Sequence, residues 1–107
     1  MSSYPAGSRP SKPVIYNVTM TEADTEYSQI LGEGCLTFLI HTRDESSFRL
    51  AFEAGKVATP VEPYFTVPAN SGYSEFEITN DFLPDDIITL YFASDSSGKV
   101  IEIIEWT

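Results

Sequence analysis

The sequence predicts an all-β protein of about eight short antiparallel strands in a sandwich or jelly roll, preceded by an extended Pro-rich arm. Three observations carry this. From Val14 onward apolar and polar residues alternate with period two, and hardly anywhere with the 3.6-residue period of a helix. The alternating runs recur at roughly 12-residue spacing, divided by clusters of Gly, Pro, Asn, Asp and Ser. The 107 residues, 42% hydrophobic and 13% aromatic, suffice for one two-layer core but not for two. The expected division is an arm over residues 1–13 and a single sandwich over residues 14–107.

In the first strand Val14, Tyr16, Val18 and Met20 share one face, and Ile15, Asn17, Thr19 and Thr21 the other. A polar break at Glu22-Ala23-Asp24-Thr25 leads to a short strand over residues 27–31. Gly32-Glu33-Gly34 then supplies the permissive φ angles of a tight turn. Next, Leu36, Phe38 and Ile40 alternate with Thr37, Leu39 and His41, and Asp44-Glu45-Ser46-Ser47 has the composition of a turn. Phe48, Leu50 and Phe52 are expected to face inward, with Arg49, Ala51 and Glu53 outward and Gly55 closing the run.

Pro60 and Pro63 make residues 56–63 a loop or edge crossing, because proline cannot donate to a central ladder. Residues 64–67 form a short strand, stopped by Pro68 and the Asn70-Ser71-Gly72 turn. Ser74, Phe76 and Ile78 alternate with Tyr73, Glu75 and Glu77; after Pro84-Asp85-Asp86, Ile88, Leu90 and Phe92 alternate with Ile87, Thr89 and Tyr91. A turn at Asp95-Ser96-Ser97-Gly98 precedes the last strand, residues 100–106. There both faces are apolar, Ile101 and Ile103 on one side and Val100, Ile104 and Trp106 on the other. Such a strand is expected to be central, bulged, or in contact with a partner.

Sixteen acidic side chains oppose six basic ones, a formal charge of −10 at pH 7. The charge is uneven. Residues 1–13 carry Arg9, Lys12 and no acid, leaving −12 on residues 14–107. An acidic body repels phosphate backbones and anionic bilayers, so neither nucleic acid nor membrane is an expected partner. No apolar run approaches the ~20 residues that span a bilayer, and residues 1–11 do not read as a secretory signal. Pro5, Pro10 and Pro13 stiffen the arm. It reads either as a loose terminus or as a segment that docks on a neighbouring subunit.

Little in the sequence carries reaction chemistry. His41 lies at an outward strand position with no nucleophile elbow in the chain, and reads as a half-exposed strand histidine. Cys35, the single cysteine, reads as a small buried residue and excludes an internal disulfide. Asp81, Asp85 and Asp86 lack the spacing of a calcium loop and read as solvated acids, and Asn17-Val18-Thr19 reads as a chance sequon. No Walker loop, dinucleotide fingerprint or zinc spacing is present, so no catalytic residue, metal or cofactor is expected. Tyr27, Tyr73 and Tyr91 fall at outward or loop-edge positions, where aromatic rings would stack on sugars.

Several stretches carry a family resemblance: Val18-Thr19 with Thr25-Glu26-Tyr27-Ser28-Gln29, Phe48-Arg49-Leu50-Ala51-Phe52 with Ala54-Gly55, Leu90-Tyr91-Phe92 with Ser94, and Gly98-Lys99-Val100-Ile101-Glu102-Ile103 with Trp106-Thr107. Through these, residues 16–107 resemble small β-sandwich virion proteins of tailed bacteriophages. The resemblance implies a structural role without catalysis, and the physical reading fits a capsid decoration or cement protein. Its expected partners are the major capsid protein and further copies of itself, as in a trimer, and its expected place is the virion. The residues expected to make those contacts are Pro5, Arg9, Pro10, Lys12 and Pro13 of the arm, with Ile104 and Trp106 of the last strand. The alternative is a host-recognition module of a tail or head fibre, binding glycans through the three tyrosines.

Overall fold

The computed structural model describes residues 13–32, 35, 37–75 and 87–106. Among these residues there are eight strands and no helix: β1 (Pro13–Met20), β2 (Tyr27–Ile30), β3 (Thr37–Thr42), β4 (Phe48–Ala51), β5 (Phe65–Val67), β6 (Tyr73–Glu75), β7 (Thr89–Ala93) and β8 (Lys99–Trp106). They form two four-stranded antiparallel sheets, ordered β1-β8-β3-β6 and β2-β7-β4-β5. Only β4 and β5 are neighbours both in sequence and in a sheet. This is the strand order of a jelly roll, in which the connections pass from one sheet to the other.

Residues directly paired across an antiparallel ladder point to the same side, so the register assigns every face. Tyr16, Val18 and Met20 lie opposite Ile103, Ile101 and Lys99. On the facing sheet, Phe92 lies opposite both Tyr27 and Leu50. Phe38, Ile40, Phe48, Leu90, Ile101 and Ile103 join Phe92, Leu50 and Met20 in one buried layer between the sheets. Burial of each such side chain contributes roughly 1.5–3 kcal/mol.

β8 is central, as one reading of its two apolar faces required. It pairs with β1 from Lys99 to Trp106 without a skipped residue and with β3 on its other side. The turn before it places Gly98 at a φ of 79°, where any other side chain would be strained, and the Gly98 amide donates to the Met20 carbonyl.

Three expectations change. Pro13, assigned to the arm, is the first residue of β1 and pairs with Trp106. Proline is tolerated there because β1 is a sheet edge. Phe52, expected inside, is 51% exposed, while Ala51, expected outside, is buried. β4 ends at Ala51, and the following loop folds back over the outer side of its own sheet. There Val57 packs on Ala51, Ala93 and Tyr91, and Arg49 holds the loop by donating to the Val57 carbonyl at 2.6 Å and pairing with Asp24 at 2.9 Å. Finally, Tyr27 and Tyr73 pack against the core and do not face outward.

Candidate functional site

The outer side of the β1-β8-β3-β6 sheet is built from residues that alternate out of the core. Its register gives successive rows across the strands. Pro13, Trp106 and Thr37 form the first, Ile15, Ile104, Leu39 and Ser74 the second, and Asn17, Glu102 and His41 the third. The second row is apolar across three strands and open to solvent: Ile15 is 64% and Leu39 40% exposed, with Ile104 half-buried between them. Trp106, also half-buried, extends this surface toward Pro13. Three of the expected contact residues, Pro13, Ile104 and Trp106, therefore share one face. Pro5, Arg9, Pro10 and Lys12 lie outside the described residues.

Ion pairs bound the apolar row on one side. Glu102 accepts from Arg43 Nε at 2.7 Å and lies 3.0 Å from His41 Nε2. The Arg43 hydrogen bond, more than His41, holds the Glu102 carboxyl below its ordinary range. His41 thus has a structural partner in Glu102. Farther along, Asp44 accepts from Lys99 Nζ at 2.6 Å and from the Ser46 hydroxyl and amide at 2.7 and 3.1 Å. Lys99 first and Ser46 second pull the Asp44 carboxyl down to about 2. A depressed folded value means that this contribution is present above the ordinary carboxylate range and is lost as pH falls toward 2. An NMR titration should find Asp44 still ionised at about pH 3. In a Lys99→Met variant its midpoint should climb back toward 3.8.

A second surface lies where β5 and β6 end their sheets. Tyr73 on β6 sits at ring-centroid distances of 6.0 Å from Phe38, 5.5 Å from Phe65 and 6.4 Å from Phe52. Phe65, 52% exposed, faces the interior side of its strand, and among the described residues no further strand covers it. Phe52, Pro63, Tyr64 and Phe65 wall an open groove of about 240 Å³ floored by Leu50. The Tyr73 hydroxyl donates to Glu75 at 2.7 Å. Burial first, and Glu75 second, push that hydroxyl's pKa up.

The three tyrosines expected to bind sugar do not make a platform. Tyr27 points into the core from the second sheet, and its hydroxyl accepts from the Glu22 amide. Tyr73 points inward from the first sheet, and Tyr91 lies on the outer side of the second, against Ala51 and Ala93.

Inside the sandwich is a group that sequence reasoning missed. Glu105 is 0% exposed on the core side of β8. Its Oε1 accepts from the Tyr16 hydroxyl and from the Gly32 amide at 2.9 Å, and Oε2 lies 3.0 Å from the same amide. Buried Cys35 is held beside it, its thiol pushed up to about 12 by burial first and by Glu105 second, which leaves little thiolate for reaction. One signal for it was available: alternation from Ile101 and Ile103 puts position 105 on the core side.

Among the described residues no three His, Cys, Asp or Glu side chains are grouped to hold a metal ion; Asp81, Asp85 and Asp86 lie outside them. No helix among the described residues is long and apolar enough to cross a membrane.

No protein-family model matches the chain, and no curated protein matches it. Among solved structures, a de novo designed double-stranded β-helix determined by solution NMR is similar with a TM-score of 0.50 at 11% identity. That match covers 90% of this chain and 99% of the designed one. At such identity the likeness concerns the fold, and it agrees with the two four-stranded sheets.

Proposed function

We propose that the protein is a capsid decoration protein of a tailed-phage virion, adhering to the outer shell through the solvent side of the β1-β8-β3-β6 sheet. The observation that carries this reading is the open apolar row of Ile15, Ile104 and Leu39, continued by Trp106. Water-exposed apolar side chains on a paired strand face gain free energy only when something covers them, roughly 25 cal/mol per Å². The ion pairs of Glu102 beside the row would fix the orientation of the partner more than they add affinity. The charge of −10 favours solubility and opposes binding to packaged DNA. Jelly rolls serve viral capsids and lectins alike, so the fold is compatible with the role and does not assign it.

The role needs a rigid adhesive body and no turnover. Its test is cosedimentation with shells of the parent particle that lack the protein. Saturable binding that the double variant Ile15→Thr, Leu39→Thr loses supports the reading. Wild-type binding by that variant removes this face from the account.

A further inference from the structure

We propose that the aromatic groove at the β5–β6 edge is the receptor for the Pro-rich residues 1–12 of a neighbouring copy, so that copies link arm into groove. The purpose assumed is the adhesive virion role above. The contact itself is read in solution without shells, so failure of one is distinguishable from failure of the other.

The groove has the chemistry of a polyproline receptor. Phe52 and Phe65 expose half their surface to water, and Tyr64, Pro63 and Leu50 line the open groove with them. Tyr73, itself packed on Phe38, braces both phenylalanine rings from behind. Aromatic-lined channels accept Pro-rich segments because proline rings stack flat on them and bring little backbone entropy to lose. Residues 1–12 read Met-Ser-Ser-Tyr-Pro-Ala-Gly-Ser-Arg-Pro-Ser-Lys, with Pro5 and Pro10 spaced along them.

Charge favours the same occupant. Residues 52–75 hold Glu53, Glu62 and Glu75 against Lys56 alone, and Glu53 lines the groove directly. Residues 1–12 hold Arg9 and Lys12 and no acid. A guanidinium next to Pro10 would be placed to lie over an aromatic face or beside a carboxylate. Two whole acidic bodies repel each other, whereas an arm of opposite sign on an acidic groove does not.

Reach and point of departure suit a receptor on a neighbour. Twelve residues span up to ~37 Å in the polyproline form. They leave the body at Pro13, on the sheet edge opposite β6. Proline at 13 biases the residue before it toward extended backbone. The groove lies in the other half of the sandwich, walled from the end of β4, the loop after it and the start of β5. Arm-into-groove contacts are head-to-tail, and they close into rings such as a trimer or run as open chains.

The test is sedimentation velocity of the full-length protein over a concentration series at physiological salt. Wild type is expected to associate. A groove variant, Phe52→Ser with Phe65→Ser, and an arm variant, Arg9→Glu with Pro10→Ala, should each associate at least roughly tenfold more weakly. Both groove substitutions are at exposed side chains, and circular dichroism checks that the fold is kept. Mixing the two variants is decisive, because the first has an intact arm and the second an intact groove. Restored association between them supports the proposal. A monomeric wild type, or a mixture that stays monomeric, overturns it. So does a glycan array that finds saccharide binding lost in the groove variant while self-association is unchanged.

Discussion

Replacing Glu105 with alanine is expected to lower the unfolding free energy by about 3 kcal/mol, read from urea denaturation. For a domain of this size that is on the order of a 12 °C fall in melting midpoint. The effect is large because the carboxylate is fully buried and serves two donors on different elements, the Tyr16 hydroxyl on β1 and the Gly32 amide after β2. Those strands belong to different sheets, so one side chain ties the layers together. Alanine leaves both donors without their acceptor, and each unsatisfied buried group costs roughly 1–3 kcal/mol. In combination with Tyr16→Phe the losses should be non-additive by about 1 kcal/mol, since both remove the same hydrogen bond. Strict additivity would mean that the bond does not contribute.

The same contact has an alkaline signature. Tyr16 is pushed up to about 12, first by its hydrogen bond to Glu105 and then by burial. Because the folded value is raised, this stabilisation is intact below the ordinary value of 10.0 and is lost as pH rises through about 12. Glu105→Gln should bring the Tyr16 titration back toward 10.0, as followed by tyrosinate absorbance.

The largest functional effect is expected of the double variant Ile15→Thr, Leu39→Thr. Its affinity for the shell should fall on the order of a hundredfold, if covering each residue contributes roughly 1.5 kcal/mol. Thermal stability should hardly move. Both side chains are exposed, and threonine has a branched β-carbon suited to a strand. The pair removes apolar area without altering net charge, which separates adhesion by burial from adhesion by electrostatics. Loss of binding together with loss of folding would be uninformative for most surfaces. Here the exposure of both residues makes circular dichroism and shell binding independent readouts.

The fold was legible where strands are long enough to show phase. β1, β3, β7 and β8 alternate over five to eight residues, and the two faces read for each are those the register shows, though which face of β8 is inward, and Glu105 on it, was not read. Short strands gave no such phase. β6 has three residues and β2 four, so the inward turn of Tyr73 and Tyr27 depends on partners remote in sequence. Ala51 keeps the outward position that alternation gives it and is buried because the following loop lays Val57 over it, while Phe52 lies past the end of the strand, where alternation no longer holds. The strand order follows from pairings such as β1 with β8, joined across almost the whole chain, and no local pattern encodes it. Of the candidate contact face, Ile104 and Trp106 were visible as the second apolar side of the last strand. Their alignment with Ile15 and Leu39 required the register.

Electron cryomicroscopy of the parent particle measures the central claim most directly. The account predicts many copies on the outside of the shell, each turning the side of its sheet that bears Ile15, Leu39 and Ile104 toward capsid subunits. Density confined to a few tail positions, or copies seated with that side bare to solvent, would contradict it.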